Sequence, residues 1–139
     1  MENSFYRQII NEHNLRPFHK HGLDCDCMEQ RGLNPGCGDD ITVRLVVSDG
    51  VITDAAFTGD GCAISQASAD IMMDMIRGMS TEEARALAGA FTAMIRGNAT
   101  ESQKDLLGEA LALEDVSHMP ARVKCALLAW HTMDEMLKE

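Results

Sequence analysis

Apolar residues follow two different spacings along this chain, and the change from one to the other separates a hairpin from a series of helices. Every second residue from Ile41 to Val47 is apolar, which is the pattern of a half-buried strand. Asp49-Gly50 follows as a strong hairpin signal. Val51 to Thr58 then predicts a returning strand, which Gly59-Asp60-Gly61 ends.

From Cys62 onward the apolar positions recur at helical spacing. The first of these helices carries one apolar stripe formed by Ile64, Ala67, Ile71, Met72, Met75 and Ile76. A second helix is predicted from Ser80, because Glu83 three residues later completes a capping box. Gly97 is a typical residue just past the end of that helix.

The remaining segments complete an α+β order. Ser4 to His13 predicts a short helix, His19 to Gly36 has no period and predicts a loop, and Lys104 to Val116 predicts a weaker helix. Pro120 suits the first turn of a last helix, whose buried side consists of Val123, Leu127, Trp130, Met133 and Leu137. We expect one domain over residues 1–139, with helices packed on one face of a small antiparallel sheet.

The composition limits which cellular compartment and which partners we expect for this protein. The formal net charge is −10, and an acidic chain repels phosphate groups, which argues against nucleic acid and anionic membranes as partners. No stretch approaches the roughly 20 apolar residues that cross a bilayer, and Met1 to Asn14 lacks the apolar region of a secretory signal. We therefore expect a cytoplasmic protein whose five cysteines are metal ligands or nucleophiles.

Three cysteines lie at junctions between predicted elements. Cys37 lies in a tight loop before the first strand, Cys62 lies between the hairpin and a helix, and Cys125 lies one to two turns into the last helix. The outer ends of a hairpin meet at one edge of a sheet, so Cys37 and Cys62 should be close together. Asp39 follows Cys37 by two residues and should point the same way. Three thiolates and one carboxylate suit tetrahedral Zn²⁺.

The spacing of these cysteines leaves a second interpretation open. No pair among the three has the C-x-x-C spacing that makes zinc sites easy to identify. A single cysteine is also more often a small buried apolar residue than a ligand.

Three motifs in the same order resemble the U-type proteins of iron–sulfur cluster assembly. The segment Asn34 to Asp39 matches the NPxCGD loop of that family, and Gly59 to Ser65 matches its GxGCxIS turn. Pro120 to Ala126 matches the segment that holds its third cysteine. The resemblance covers essentially the whole chain, including Phe5 to Ile10, and it implies the α+β fold of the SufU and IscU proteins.

Within that family, the chain resembles the SufU branch more than the IscU scaffold branch. The scaffold branch has a histidine immediately before its third cysteine, where this chain has Lys124. The SufU branch carries an insertion between its second and third cysteines, and here 62 residues, 63 to 124, separate Cys62 from Cys125. The segment Gly97 to Met119 would hold that insertion.

The resemblance also implies a site and a sulfurtransferase-like activity. The implied zinc ligands are Cys37, Asp39, Cys62 and Cys125. Cys37 would accept persulfide sulfur from a SufS-type cysteine desulfurase, after a histidine of the desulfurase replaces it on the zinc. Arg122 is a candidate for holding the site by hydrogen bonds, with a solvated arginine as the alternative. A SufBCD-type scaffold complex is a further candidate partner.

One loop departs from the family pattern. His19 to Cys27 is rich in metal-binding side chains, including Cys25 and Cys27, and the family does not generally have cysteines there. Three interpretations stay open. The two cysteines are incidental thiols on a mobile loop, the loop is a second metal or sulfur-handling site, or it contacts the desulfurase.

Two other functions would use the same three cysteines. A scaffold protein would assemble a [2Fe-2S] cluster on them, and Lys124 is the feature that separates this alternative from sulfur transfer. A purely structural zinc domain would instead hold buried, unreactive thiolates.

Overall fold

The computed structural model describes residues 2–23 and 26–138, which form a three-stranded antiparallel sheet and five α-helices. The helices are α1 (Glu2–Leu15), α2 (Ala63–Ile76), α3 (Thr81–Ile95), α4 (Glu101–Leu107) and α5 (Val123–Leu137). The strands are β1 (Met28–Asn34), β2 (Asp39–Ser48) and β3 (Val51–Asp60). Two 3₁₀ segments, Gly108–His118 and Pro120–Arg122, connect α4 to α5. The predicted α+β class is confirmed.

The predicted hairpin forms two adjacent strands of the sheet, the central strand β2 and the edge strand β3. The strand order is β1-β2-β3, and both residues of the connecting turn, Asp49 (φ 52°) and Gly50 (φ 77°), have positive φ. Alternate residues of β2 are buried from Asp39 to Leu45, and α2 and α5 pack against the sheet. Asp39 therefore shares the buried side of the strand with Ile41 and Val43, and only its polar side chain distinguishes it from them.

Both predicted end signals of α3 are confirmed. The Ser80–Glu83 capping box begins α3, and in addition the Cys62 side chain caps α2 at its N-terminus. Gly97 adopts a φ of 81° just past the end of α3, as its position in the sequence predicts. These features depend on residues within four positions of one another, so the sequence alone specifies them.

The prediction of a loop over His19 to Gly36 was wrong for β1. The first four residues of this strand are exposed, and only Gly32 and Asn34 are buried. An edge strand with so few buried residues has no alternating apolar pattern to detect. Pairing with β2, from Met28 opposite Leu45 to Asn34 opposite Asp39, is what makes it a strand.

The prediction of one helix over Lys104 to Val116 was also wrong. Helix α4 ends at Leu107, because Gly108 adopts a φ of 46°, and a 3₁₀ segment follows. Pro120 begins a short 3₁₀ turn rather than the last helix, which starts at Val123. Cys125 therefore lies in the first turn of α5 and not one to two turns into it.

The segment Gly97 to Met119 is an integral part of the core. It buries Leu107, Ala110, Leu113 and Val116 in the same hydrophobic cluster as α2, α3 and the sheet. The additional length that the resemblance assigns to an insertion thus adds to the hydrophobic burial of the fold.

Two polar links fix α5 against α2. The Trp130 Nε1–H group donates to Ser68 Oγ at 3.0 Å, and the Ser68 hydroxyl donates to the Ala126 carbonyl at 2.7 Å. The Trp130 ring stacks on Phe91 of α3, with the ring centroids 4.3 Å apart. Because Ala126 follows Cys125 directly, these contacts also set the position of Cys125.

A buried cluster of charged side chains anchors α1. His13 Nδ1 lies 2.6 Å from the Asp70 carboxylate on α2, and His13 Nε2 lies 2.7 Å from the Glu109 carboxylate. Asp70 is completely buried, and its other oxygen accepts the His19 backbone N–H at 2.8 Å. The sequence predicts a short helix that ends at His13 and gives no sign of these acidic partners.

Within the part of the chain described, no helix is both long and apolar enough to cross a membrane.

We expect Gly32→Ala to destabilise the fold by about 1–3 kcal/mol, the usual cost of overpacking a core. A methyl group on Gly32 would collide with Thr132 Oγ1 and would contact Leu128 Cδ1 at 3.2 Å, so β1 would have to move away from α5. Urea unfolding measures the change. Gly36→Ala is the control, because a methyl group there meets nothing within 4 Å; equal stability of the two variants would contradict the prediction.

Candidate metal centre

A tight turn places the first cysteine beyond the end of the sheet. The Cys37 N–H donates to the Asn34 carbonyl at 3.1 Å, and the Gly38 N–H donates to the Pro35 carbonyl at 3.3 Å. Gly38 has a φ of 72°, which glycine adopts without strain. Since Asn34 and Asp39 pair across β1 and β2, the turn presents Cys37 directly over that pair.

Three of the four predicted ligands converge at this point. One ligand atom each from Cys37, Asp39 and Cys125 all lie within 4.8 Å of one another. Asp39 and Cys125 are 1% exposed, whereas Cys37 is half-buried. The structure thus brings Cys125, on a helix, next to Cys37 and Asp39, which lie far from it in the sequence.

Cys62 adjoins this group without belonging to it. Its Sγ accepts the Ser65 N–H of α2 at 3.4 Å, as a helix cap does, and its own N–H donates to Asp39 Oδ1 at 3.0 Å. The Cys62 backbone is therefore fixed to the carboxylate of the group, while its sulfur lies at the start of the helix. Cys125 joins Cys37 in this group, and the expected closeness of Cys37 and Cys62 stays a prediction.

Asp39 is held by hydrogen bonds on both of its oxygens. Oδ1 accepts the Cys62 N–H and lies 3.0 Å from the Ser65 hydroxyl, and Oδ2 accepts the Asn34 amide at 3.1 Å. Burial by itself would raise the pKa of Asp39, but these donors and the Cys125 thiol hold that pKa below its ordinary value. The carboxylate is therefore ionised and fixed in orientation.

Cys125 is the most deeply placed of the three thiols. Burial raises the pKa of Cys125 well above its ordinary value, and the neighbouring Cys37, Asp39 and Cys62 raise it further. A bound cation would reverse this preference, because a metal ligates the thiolate and releases the proton. Asn34 Nδ2 also lies 3.7 Å from Cys125 Sγ and can donate to that sulfur.

Arg122 supplies positive charge beside these thiols. It lies at the end of the 3₁₀ turn that precedes α5, and its side chain is solvent-exposed. Interaction with Cys125, followed by the charges of Cys62 and Cys37, holds the pKa of the Arg122 guanidinium above its ordinary value. This location agrees with a supporting role for Arg122, and its exposure shows that the arginine is also solvated.

The donor set fits a single zinc ion. An oxygen and two sulfur ligands about 2.0–2.3 Å from a tetrahedral ion stand about 3.5–3.8 Å from one another, and the three converging ligand atoms already lie within 4.8 Å. The fixed carboxylate would supply one oxygen ligand. Cys37, Asp39 and Cys125 could therefore hold the ion, with Cys62 as the adjoining fourth residue.

The histidine- and cysteine-containing loop does not form a second such group in the described residues. His19 is buried, and its Nε2 lies 3.2 Å from the Asp74 carboxylate. Cys27 is half-buried and free. Cys25 lies outside the described residues. Among the described residues, Cys37, Asp39 and Cys125 form the only group of metal-binding side chains whose ligand atoms converge in this way.

Two residues of the site, Asn34 and Ser65, were not predicted from the sequence. Asn34 and Ser65 both belong to the recognised motifs, but neither was assigned a role, and both donate to Asp39. Asn34 was missed because β1 was not predicted. Asn34 pairs with Asp39 only as part of that strand. Ser65 could have been predicted from the sequence, because it follows the start of α2 at Cys62 by three residues, and a residue at that position lies beside the capping residue.

Comparison with known proteins agrees with the geometry. The family model of the NifU-like N terminal domain matches residues 5–126. A solved structure from the thermophile Fervidobacterium islandicum AW-1, described as a candidate iron–sulfur cluster assembly scaffold protein for the SUF system, has a TM-score of 0.90. It is 30% identical, and the match covers 99% of this chain and 100% of that one.

Two curated relatives carry different functional names. The iron–sulfur cluster assembly scaffold protein IscU of Streptococcus pyogenes serotype M1 is 42% identical over 98% of this chain and 84% of its own length. The zinc-dependent sulfurtransferase SufU of Bacillus subtilis (strain 168) is 36% identical over 95% of this chain and 88% of its own. The names of the relatives therefore include both the scaffold and the sulfurtransferase alternatives.

Proposed function

Because this chain belongs to the family of NifU-like N-terminal domains, we propose that it binds one zinc ion and accepts sulfur on Cys37 for iron–sulfur cluster assembly. The proposed zinc ligands are Cys37, Asp39, Cys62 and Cys125. The proposed donor is a SufS-type cysteine desulfurase, with a SufBCD-type complex as the later recipient. A relative named as a zinc-dependent sulfurtransferase, 36% identical, supports this assignment.

The compactness of the ligand group is the observation that carries the proposal. In a four-ligand [2Fe-2S] cluster each iron takes two protein ligands, so any three ligands include two that bind different irons. Those two must stand farther apart than ligands of one ion. Cys37, Asp39 and Cys125 lie within 4.8 Å of one another, which favours a single ion over a cluster.

Lys124 supports the same choice. It is exposed, next to the buried Cys125, at the position where the scaffold branch has a histidine. A lysine ammonium has three donors and no acceptor, so it offers a metal or cluster nothing to bind. Its positive charge instead suits contact with an acidic surface of a partner protein.

The proposed transfer is a thiol exchange without a net change in oxidation. A bound zinc ion would supply the positive charge that keeps the cysteines as thiolates. The Cys37 thiolate attacks the terminal sulfur of a persulfide, R–S–SH, on the desulfurase. A new S–S bond forms on Cys37 while the bond to the desulfurase sulfur breaks, giving Cys37–S–SH and the thiolate R–S⁻.

The surroundings of Cys37 suit this nucleophile. It is half-buried in a turn whose neighbours Gly36 and Gly38 have open space around them, so a persulfide can reach it. Cys125 is 1% exposed and is shielded from the same approach. Arg122, beside the three thiols, would stabilise their negative charge during the exchange.

We expect incubation with a desulfurase and free cysteine to add one sulfur atom to Cys37 alone. Cys37→Ser should abolish this addition while keeping part of the zinc, because water can fill the open position. Non-reducing peptide mass mapping and metal analysis measure both. Cys27→Ala is the matched control and should behave as the unaltered protein. Persulfide on Cys25 or Cys27 would contradict the proposal, and brown protein with a visible absorption band would favour the cluster scaffold.

A further inference from the structure

The four proposed ligands differ in the hydrogen bonds that hold them. Asp39, Cys62 and Cys125 each have an N–H group directed at a ligand atom: Cys62 N–H and Asn34 Nδ2 to Asp39, Ser65 N–H to Cys62 Sγ, and Asn34 Nδ2 to Cys125 Sγ. Among the described residues, no N–H group is found within bonding distance of Cys37 Sγ. Three of the proposed ligands are thus held by N–H donors, and the fourth, Cys37, is not.

Asn34 links two of the held ligands through a single group. Its Nδ2 lies 3.1 Å from Asp39 Oδ2 and 3.7 Å from Cys125 Sγ. An amide nitrogen carries two hydrogens, so it can donate to the carboxylate and to the sulfur at the same time. Asn34 is buried at the end of β1 and paired in register with Asp39, which leaves its side chain little freedom.

Cys37 has the opposite kind of neighbour. Among the described residues, the backbone partner of its thiol is the Ala121 carbonyl, with the sulfur 3.8 Å from that oxygen. A carbonyl oxygen accepts hydrogen bonds and cannot donate one, so this contact is lost when Cys37 becomes a thiolate. Nothing within 4 Å would meet a Cβ on Gly36 or Gly38, which leaves room for the loop to move.

We propose that Asn34 is the positioning residue that keeps Asp39 and Cys125 on the metal when Cys37 leaves it. This inference rests on the proposed function, in which Cys37 must leave the ion without releasing it. Asn34 acts through the two ligands it joins. Removing outer hydrogen-bond partners of metal ligands costs roughly 10–100-fold in metal affinity, and here the cost should fall mainly on the state without Cys37.

Cobalt-loaded protein tests this without a desulfurase. Among the three cysteine ligands, iodoacetamide should modify Cys37 first. In the unaltered protein the Co²⁺ ion should then stay bound while its thiolate charge-transfer absorption falls by about one third, as one of three sulfur ligands is lost. In Asn34→Ala, the same modification should release Co²⁺ at least about tenfold faster. Before modification, release from the two proteins should differ much less.

Two further variants separate positioning from packing. Asn34→Leu keeps the bulk of the side chain but has no donor, so it should release Co²⁺ as Asn34→Ala does. Leu33→Ala removes an exposed neighbour on β1 and should retain the ion after modification. Circular dichroism checks that each variant is folded.

Three results would overturn the inference. They are retention of Co²⁺ by both Asn34 variants after Cys37 is modified, an equal acceleration of release before and after modification, and loss of the ion from the unaltered protein on modification. If the cobalt results are as expected but the desulfurase transfers no sulfur, the proposed function fails and the role of Asn34 stands.

Discussion

Replacing Cys125 by alanine should abolish binding of the proposed zinc ion and remove much of the stability that a bound ion would provide. Cys125 is buried, lies within 4.8 Å of the Cys37 and Asp39 ligand atoms and accepts from Asn34, so no other side chain can take its position. A ligand at about 1,000 times its Kd stabilises a fold by about 4 kcal/mol. We expect a loss of that order in zinc-containing buffer, measured by urea unfolding alongside elemental analysis.

The control for this experiment is Cys27→Ala, which also removes a free thiol but lies outside the ligand group. It should retain one zinc per chain and the stability of the unaltered protein. After treatment with a chelator, the unaltered protein and Cys125→Ala should unfold at similar urea concentrations. A full complement of zinc in Cys125→Ala would show that Cys125 is not a ligand.

The stability contributed by His13 should decrease as the pH rises from about 6.5 to about 9. The hydrogen bond to Asp70 is the largest cause that raises the pKa of His13 from 6.5 to about 9; burial opposes it, and Glu109 adds to it. A group whose pKa is raised by folding stabilises the fold below its unfolded pKa and loses this contribution through its folded pKa. A difference of this size between the folded and unfolded pKa of His13 corresponds to about 3 kcal/mol in the free energy of unfolding.

The measurement is the free energy of unfolding at several pH values for the unaltered protein and for His13→Gln. The difference between the two should shrink by about 3 kcal/mol between pH 6 and pH 10. Comparing the difference removes the contributions of the other titratable groups, which the two proteins share. His21→Gln, at an exposed histidine, should show no such trend. A difference that is independent of pH would mean that His13 is not charged in the folded protein.

The elements that the sequence predicts correctly are those whose determining contacts are local. The β2–β3 hairpin follows from alternation and from Asp49-Gly50, and the start of α3 follows from Ser80 and Glu83. Each depends on residues a few positions apart, whose preferences do not require the rest of the fold. The motifs likewise identified Cys37, Asp39 and Cys125 as candidates before any contact between them was known.

The tertiary structure decided what joins these residues into a site. Asn34 and Cys125 are 91 positions apart, and His13 and Glu109 are 96 apart; no periodicity or local motif reports such pairs. The exposed strand β1 exists because it pairs with β2, and that pairing sets Asn34 opposite Asp39. The sequence by itself determined the local elements and the candidate ligands. Packing of α5 and α2 against the sheet decided which ligands meet, because hydrogen bonds and burial between distant segments arise only in the folded chain.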